Sequence, residues 1–269
     1  MAEIEKMVLG FVGAGNMGSA ILRGVLSRGL TTPERVWLSD CSEDKLRPFA
    51  QEGVRTTADN VQVVTQADLI VLALKPQMFD AVLPSLAGAA AGKCVVSIAP
   101  GISTASLRKA LPGALVVRVM PNTPLMVGVG ATAVARAVGV PADLFQAVLD
   151  LFSAAGAVAV IDESQMDDII SVNGSSPAWF FRMADIMVRR AVSVGIDART
   201  ALTLTAKTME GSARLLQESG KTPEELCRQV CSPGGTTLAS LSAFEDRDFD
   251  GLMLDAMDRC TKRSKELGK

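Results

Sequence analysis

The sequence predicts an α/β fold: a doubly wound, mainly parallel sheet over residues 1–162, then an all-α domain over 163–269. Three observations predict it. Short, nearly continuous apolar runs alternate with helical stretches through the first part of the chain. A glycine-rich turn follows the first run and opens a helix. From Glu163 onward the runs cease and helix punctuation takes over.

The strands come first. The runs MVLGFVG, RVWLSD, DLIVLALK, CVVSIAP, ALVVRVMP, GVGATAVA and AVAVID are each bounded by Gly, Pro, Asp or Ser. Continuous rather than alternating apolarity predicts strands buried on both faces, hence a parallel sheet covered by helices. Right-handed crossovers then wind the helices onto both faces. The start, MAEIEKMVLGFVG, is acidic and is expected to enter the first strand directly, without a signal peptide.

In the second part, Ser175-Ser176-Pro177 reads as a helix cap with proline at the first helical position. Gly195 closes that helix and Asp197 caps the next, which ends at Gly220. Thr222-Pro223-Glu224-Glu225 combines a capping box with that same proline placement. Ser232-Pro233-Gly234-Gly235-Thr236-Thr237 starts another helix, and the last begins near Phe249. Apolar stretches such as Ala178-Trp179-Phe180-Phe181 predict that this small helical block buries surface against a second copy.

Composition excludes several chemistries. The 269 residues include no His and no Tyr. There is therefore no Ser-His-Asp triad, no Cys-His pair, no imidazole metal ligand and no phenolic acid. Net charge is −2, which gives no basic field for nucleic acid or anionic membrane. Cys41, Cys94, Cys227, Cys231 and Cys260 form no CxxC and no metal-ligand spacing; they fit a reducing cytoplasm. The longest uncharged stretch, Val119 to Ala135, carries Pro121, Pro124, Gly128 and Gly130, unlike a membrane helix.

Gly13-Ala14-Gly15-Asn16-Met17-Gly18 follows a strand and opens a helix. That placement, more than the bare GxGxxG pattern, predicts a Rossmann-type dinucleotide site. Gly13 permits the tight turn, Gly15 admits a pyrophosphate, and Gly18 lets the helix pack closely. The amides of the first helical turn and its dipole face the phosphates. Asp40 ends the second run, 22 residues past Gly18. It either accepts the adenosine ribose hydroxyls, favouring NADH, or caps the helix that follows; Lys45 and Arg47 stand in reach of a 2′-phosphate. The choice between NADPH and NADH stays open at this point. Lys75-Pro76 and Met120-Pro121-Asn122-Thr123-Pro124 end two strands on the carboxyl edge, where the nicotinamide pocket is expected.

The SPGGTT turn at 232–237 offers hydroxyls and free amides at a helix start, either for a carboxylate or as an extended cap. Asn173-Gly174-Ser175-Ser176-Pro177-Ala178 is similar and could build the opposite wall. Asp167-Asp168 reads either as a carboxylate pair or as dipole partners, and Cys227 with Cys231 as buried thiols.

These segments together resemble the pyrroline-5-carboxylate reductase family along essentially the whole chain. The resemblance runs through FVGAGNMGSAI, ALKP, SIAPGIS, RVMPNTP, NGSSPAWFF, SPGGTT and AMDRCTKRSKEL. It implies an N-terminal nucleotide-binding domain and a helical dimerisation domain, with decamers in some members. It implies hydride delivery from NADPH or NADH to the ring C=N carbon of Δ1-pyrroline-5-carboxylate, giving L-proline. By similarity, Ser232 and the amides around Gly235, Thr236 and Thr237 hold the substrate carboxylate, with Asn173 and Ser175 on the opposite wall. The Thr237 hydroxyl faces the imine nitrogen, while Gly13, Gly15, Gly18, Lys75, Pro76 and Asn122 fall on the cofactor side; Asn16 and Met17, inside the glycine turn, and Asp40, at the end of the second run, are expected there from their own placement. No metal is implied. Asn173 and Trp179 stand where the family usually has Ser and Tyr, Pro100 replaces Ala, and Asp40 departs at the cofactor-selecting position.

An imine suits a chain without His or Tyr, because water protonates the ring nitrogen and one hydroxyl steadies the proton. Two rival readings are another two-domain small-acid dehydrogenase and a non-catalytic dinucleotide-sensing dimer. The first needs a well-placed Lys on the helical domain, where Lys207 and Lys221 lie outside any glycine-rich setting. The second has no use for the SPGGTT turn.

Overall fold

The computed structural model describes residues 3–268. Eight strands are β1 Leu9–Val12, β2 Val36–Ser39, β3 Arg55–Thr57, β4 Leu69–Leu72, β5 Cys94–Ser97, β6 Leu115–Met120, β7 Gly130–Ala135 and β8 Gly156–Ile161. They form one sheet in the order β3-β2-β1-β4-β5-β6-β7-β8. Every pairing is parallel except β6 with β7. The helices α1 Glu3–Lys6, α2 Asn16–Ser27, α3 Glu43–Gln51, α4 Asn60–Gln66, α5 Phe79–Ala90, α6 Thr104–Ala110 and α7 Ala142–Ser153 are interleaved with these strands. There follow α8 Ser176–Ser193, α9 Ala198–Glu218, α10 Pro223–Val230, α11 Thr236–Glu245 and α12 Phe249–Leu267.

The strand alternation divides the core in two. Phe11, Leu69, Val71, Val96 and Val117 pack with Leu22 of α2 and Phe152 of α7 on one face. Val12, Ile70, Leu72, Val95 and Val116 pack with Leu86 of α5 and Leu107 of α6 on the other. Successive side chains point to opposite faces of a strand, so a run buried throughout must be covered on both sides. This is the doubly wound sheet expected from the apolar runs.

Four details depart from the sequence reading. The chain does not enter β1 directly: α1 comes first, with its Ile4 fully buried in the core. β3 is too short and polar to register as an apolar run. β8 is partly exposed because it lies at the sheet edge, with only β7 beside it. Finally, Ile170–Gly174 forms a wide π-helical turn in which the Ser175 amide donates to the Ile170 carbonyl at 2.8 Å.

Contacts divide the chain into a sheet unit, Met1–Pro177 with Arg259–Lys269, and a helical unit, Ala178–Asp258. Within the helical unit the expected punctuation is present. Gly195 has φ +92°, Asp197 accepts from the Thr200 amide, and Thr222 with Glu225 forms the reciprocal capping box. Phe180, Phe181, Leu204, Leu215, Leu252 and Leu254 are exposed on this unit. Among the described residues, no helix is long and apolar enough to cross a membrane.

Candidate active site

Within the sheet unit, most of the residues assigned to the cofactor gather on the carboxyl edge of the parallel strands. β1 ends at Val12 and Gly13 turns the chain with φ +105°. A Cβ on Gly13 would lie 2.6 Å from the Ala73 carbonyl oxygen, and one on Gly18 would lie 2.4 Å from the Gly13 oxygen. Those two glycines are required by the protein's own packing. Gly15 is different, since a Cβ there would meet nothing within 4 Å. It caps α2 without a side-chain hydrogen bond, and the first turn carries no acid. The start of α2 therefore leaves open space beside Gly15 at the positive end of a helix, which fits a pyrophosphate.

Asp40 follows β2, with its side chain 9% exposed. Its carboxylate accepts from the Ala14 amide at 2.9 Å and the Ser42 amide at 2.9 Å, and pairs with Lys45 at 3.3 Å. Burial pushes the carboxyl pKa up, but the amides of Ser42 and Ala14 and the Lys45 ammonium outweigh it and hold it below the ordinary value. Ser42, not Asp40, occupies the cap position of α3. Lys75 is exposed just after β4 and precedes the short helical turn Pro76–Met78. Asn122, buried after β6, accepts the Ala131 amide through Oδ1 at 2.8 Å, so its nitrogen is the end left to a ligand.

Asn173 and Ser175 also belong to the sheet unit. Asn173 Nδ2 donates to the Met120 carbonyl at 2.8 Å and the Ala131 carbonyl at 3.2 Å, tying the π-helical turn to β6 and β7. Its Oδ1 is buried without a hydrogen-bond partner. Ser175 Oγ accepts from the Cys260 thiol at 3.1 Å. Asp167 and Asp168 are neither a carboxylate pair nor helix-dipole partners. Asp167 accepts from Arg118 at 2.6 Å and Ser264 at 2.7 Å, while Asp168 faces Lys265 at 3.5 Å. Residue spacing alone does not predict this arrangement, although an Arg inside an apolar strand run signals a buried partner.

The SPGGTT turn lies in the helical unit. Gly234 takes φ +68°, and the Gly235 amide donates to the Ser232 carbonyl at 2.9 Å. A Cβ on Gly235 would stand 2.3 Å from Ser232 Oγ, so only glycine lets that hydroxyl stay where it is. Gly235 caps α11 without a side-chain hydrogen bond. The turn is thus not an extended side-chain cap. It presents uncommitted first-turn amides and nearby hydroxyls, an arrangement that can hold a small anion such as a carboxylate. Beside it, burial and the neighbouring Cys227 push the Cys231 thiol up, away from thiolate reactivity. Among the described residues, no group of three or more His, Cys, Asp or Glu side chains is placed to hold a metal ion.

A mainly parallel sheet with a phosphate-ready glycine turn, followed along the chain by a helical unit with an anion-ready turn, defines a two-domain dinucleotide-dependent oxidoreductase. Comparison with known proteins makes the class specific. Residues 163–267 match the family profile described as pyrroline-5-carboxylate reductase dimerisation, and residues 8–101 match that of NADP oxidoreductase coenzyme F420-dependent. The pyrroline-5-carboxylate reductase of Methanosarcina acetivorans is 38% identical over 269 residues, covering 99% of this chain and 100% of that protein. The Plasmodium falciparum pyrroline carboxylate reductase, solved with NADP bound, superposes with a TM-score of 0.90 at 26% identity, covering 98% and 99% of the two chains. The Coxiella burnetii pyrroline-5-carboxylate reductase superposes with a TM-score of 0.88 at 33% identity, with the same coverage. This chain belongs to the pyrroline-5-carboxylate reductase family.

Proposed function

We propose that this chain reduces Δ1-pyrroline-5-carboxylate to L-proline with NAD(P)H, the last step of proline synthesis. When bound, the nicotinamide supplies a hydride to the ring carbon of the C=N bond. Gly13, Gly15, Asn16, Met17 and Gly18 receive the pyrophosphate, and Asp40 receives the adenosine ribose. Lys75, Pro76 and Asn122 line the nicotinamide side. Ser232 and the amides of Gly235, Thr236 and Thr237 anchor the substrate carboxylate, and Asn173 and Ser175 are assigned to substrate binding as well. Reduction consumes one proton besides the hydride. Water protonates the ring nitrogen, and the Thr237 hydroxyl holds that proton in place as the nitrogen becomes an amine.

The observation that carries this reading is the uncapped α11 start in a chain without His or Tyr. Carbonyl reduction requires a stronger acid than this turn offers, whereas a protonated imine requires only an anchor and a hydroxyl. We assign residues 1–162 to dinucleotide binding and 163–269 to substrate binding and dimerisation. The exposed apolar side chains of the helical unit support a homodimer, which in this reading can assemble further to a decamer. Five free cysteines support a cytoplasmic setting, and the slight negative charge supports a role apart from nucleic acid and membrane.

The test is Thr237→Ala. Its kcat/KM for pyrroline-5-carboxylate should fall roughly 10- to 1,000-fold, within the usual reach of one proton-handling group. An unchanged kcat/KM removes Thr237 from the chemistry.

A further inference from the structure

The cofactor edge carries a charge arrangement that bears on which dinucleotide it takes. The Asp40 carboxylate is not a free side chain awaiting a ligand. Oδ2 is fixed by the Ala14 amide, inside the glycine turn, and Oδ1 by the Ser42 amide, each at 2.9 Å. The carboxylate thus stands where β2 ends, tied to the same turn that receives the pyrophosphate. Beside it opens a cavity of about 490 Å³, lined by Asp40, Cys41, Glu43, Arg47 and Thr57 among others.

The nearby cations are already engaged. Lys45 Nζ lies 3.3 and 3.4 Å from the two Asp40 oxygens, and Arg47 pairs with Asp44 at 2.8 Å. Asp40, Glu43 and Asp44 outnumber Lys45 and Arg47 on this segment. A carboxylate has about four lone-pair positions, and two are held here by backbone amides at good distance. The remaining two meet the long contacts to Lys45, whose side chain is half exposed, and a weak contact from the Cys41 thiol to Oδ1 at 3.7 Å. Two ribose hydroxyls can replace that ammonium as donors. A 2′-phosphate carries no such donors, brings up to two negative charges, and meets a fixed anion with no unengaged Lys or Arg on this segment.

We propose that Asp40 selects NADH over NADPH in this chain, acting as a fixed acceptor for the ribose hydroxyls. This rests on the dinucleotide reading above. The test is isothermal titration calorimetry of NADH and NADPH separately into the full-length protein, in its wild-type form and as Asp40→Asn and Asp40→Ser. Wild-type protein should bind NADH at least about tenfold more tightly, equivalent to about 1.4 kcal/mol. Asp40→Asn keeps an acceptor oxygen but removes the charge, and Asp40→Ser removes both carboxylate oxygens; each should bring the two affinities toward equality. Equal or tighter NADPH binding by the wild type would overturn the proposal. So would an NADH preference that survives in Asp40→Asn. Binding of neither dinucleotide would overturn the underlying reading and this inference with it, whereas tight binding of both without preference overturns the inference alone.

Discussion

Arg118 shows how a single residue couples distant parts of the sheet unit. It sits within β6 with its side chain 2% exposed, and reaches Asp167 and, through it, Ser264 near the end of α12. A guanidinium so deeply buried is tolerable only when paired, and breaking such a pair strands the remaining charge. Asp167→Asn should therefore destabilise the protein by about 3 kcal/mol, read from the midpoint of urea unfolding at neutral pH. Burial raises the Asp167 carboxyl pKa, yet Ser264, Arg118 and Lys265 outweigh it and hold it below its ordinary value of 3.8. A depressed folded-state value means the stabilisation is complete above the ordinary value and is lost as pH falls below it. The wild type should accordingly lose part of its margin over Asp167→Asn between pH 4 and the acid limit. A constant margin down to that limit would show that the carboxylate's charge is not what matters. Neither this pairing nor the clasp of Asp40 by Ala14 was legible beforehand. Arg118 and Asp167 are 49 positions apart and meet only after folding, and nothing in the spacing says which amide a carboxylate will take.

At the scale of elements, the glycine turn and α2 were legible because their geometry admits few residues. Gly13 and Gly18 are demanded by backbone contacts, whereas Gly15 faces open space, and the structure separates these causes where the motif alone does not. Gly13→Ala should lower stability by roughly 2 kcal/mol or more, since it combines positive φ with a clash against the Ala73 carbonyl. Gly15→Ala should leave the thermal midpoint almost unchanged yet weaken dinucleotide binding at least about tenfold. Calorimetry on both variants checks this: equal stability losses would contradict the distinction. Other elements were less legible. β3 is a polar triplet that becomes a strand only by pairing with β2, and β7 turns antiparallel to β6 although its run reads like the others. The π-helical turn at Ile170–Gly174 follows from tertiary contacts, with Asn173 tied to β6 and β7 and Gly174 packed against Met120. The helical caps at Asp197 and Thr222, by contrast, depend on residues within three positions, so they were readable directly.

For the whole molecule, the absence of His and Tyr organises the functional account. Two helix starts without side-chain caps, at α2 and α11, are suited to a dinucleotide and a small carboxylate without any strong acid or base. That inventory is suited to placing a hydride on a C=N bond that solvent has already protonated. The broad fold, the family and the chemistry were legible because these sites use short contiguous segments with demanding backbone geometry. The roles of Asp40 and Asn173 were less legible, because they depend on which main-chain groups folding brings within reach. The most direct measurement supplies the protein with pyrroline-5-carboxylate and reduced dinucleotide deuterated at the transferable position of the nicotinamide ring. Mass spectrometry and NMR then locate the label in the product. The account predicts L-proline carrying one deuterium on the former imine carbon, formed in step with dinucleotide oxidation. Unlabelled proline, or dinucleotide oxidation without proline, would contradict it.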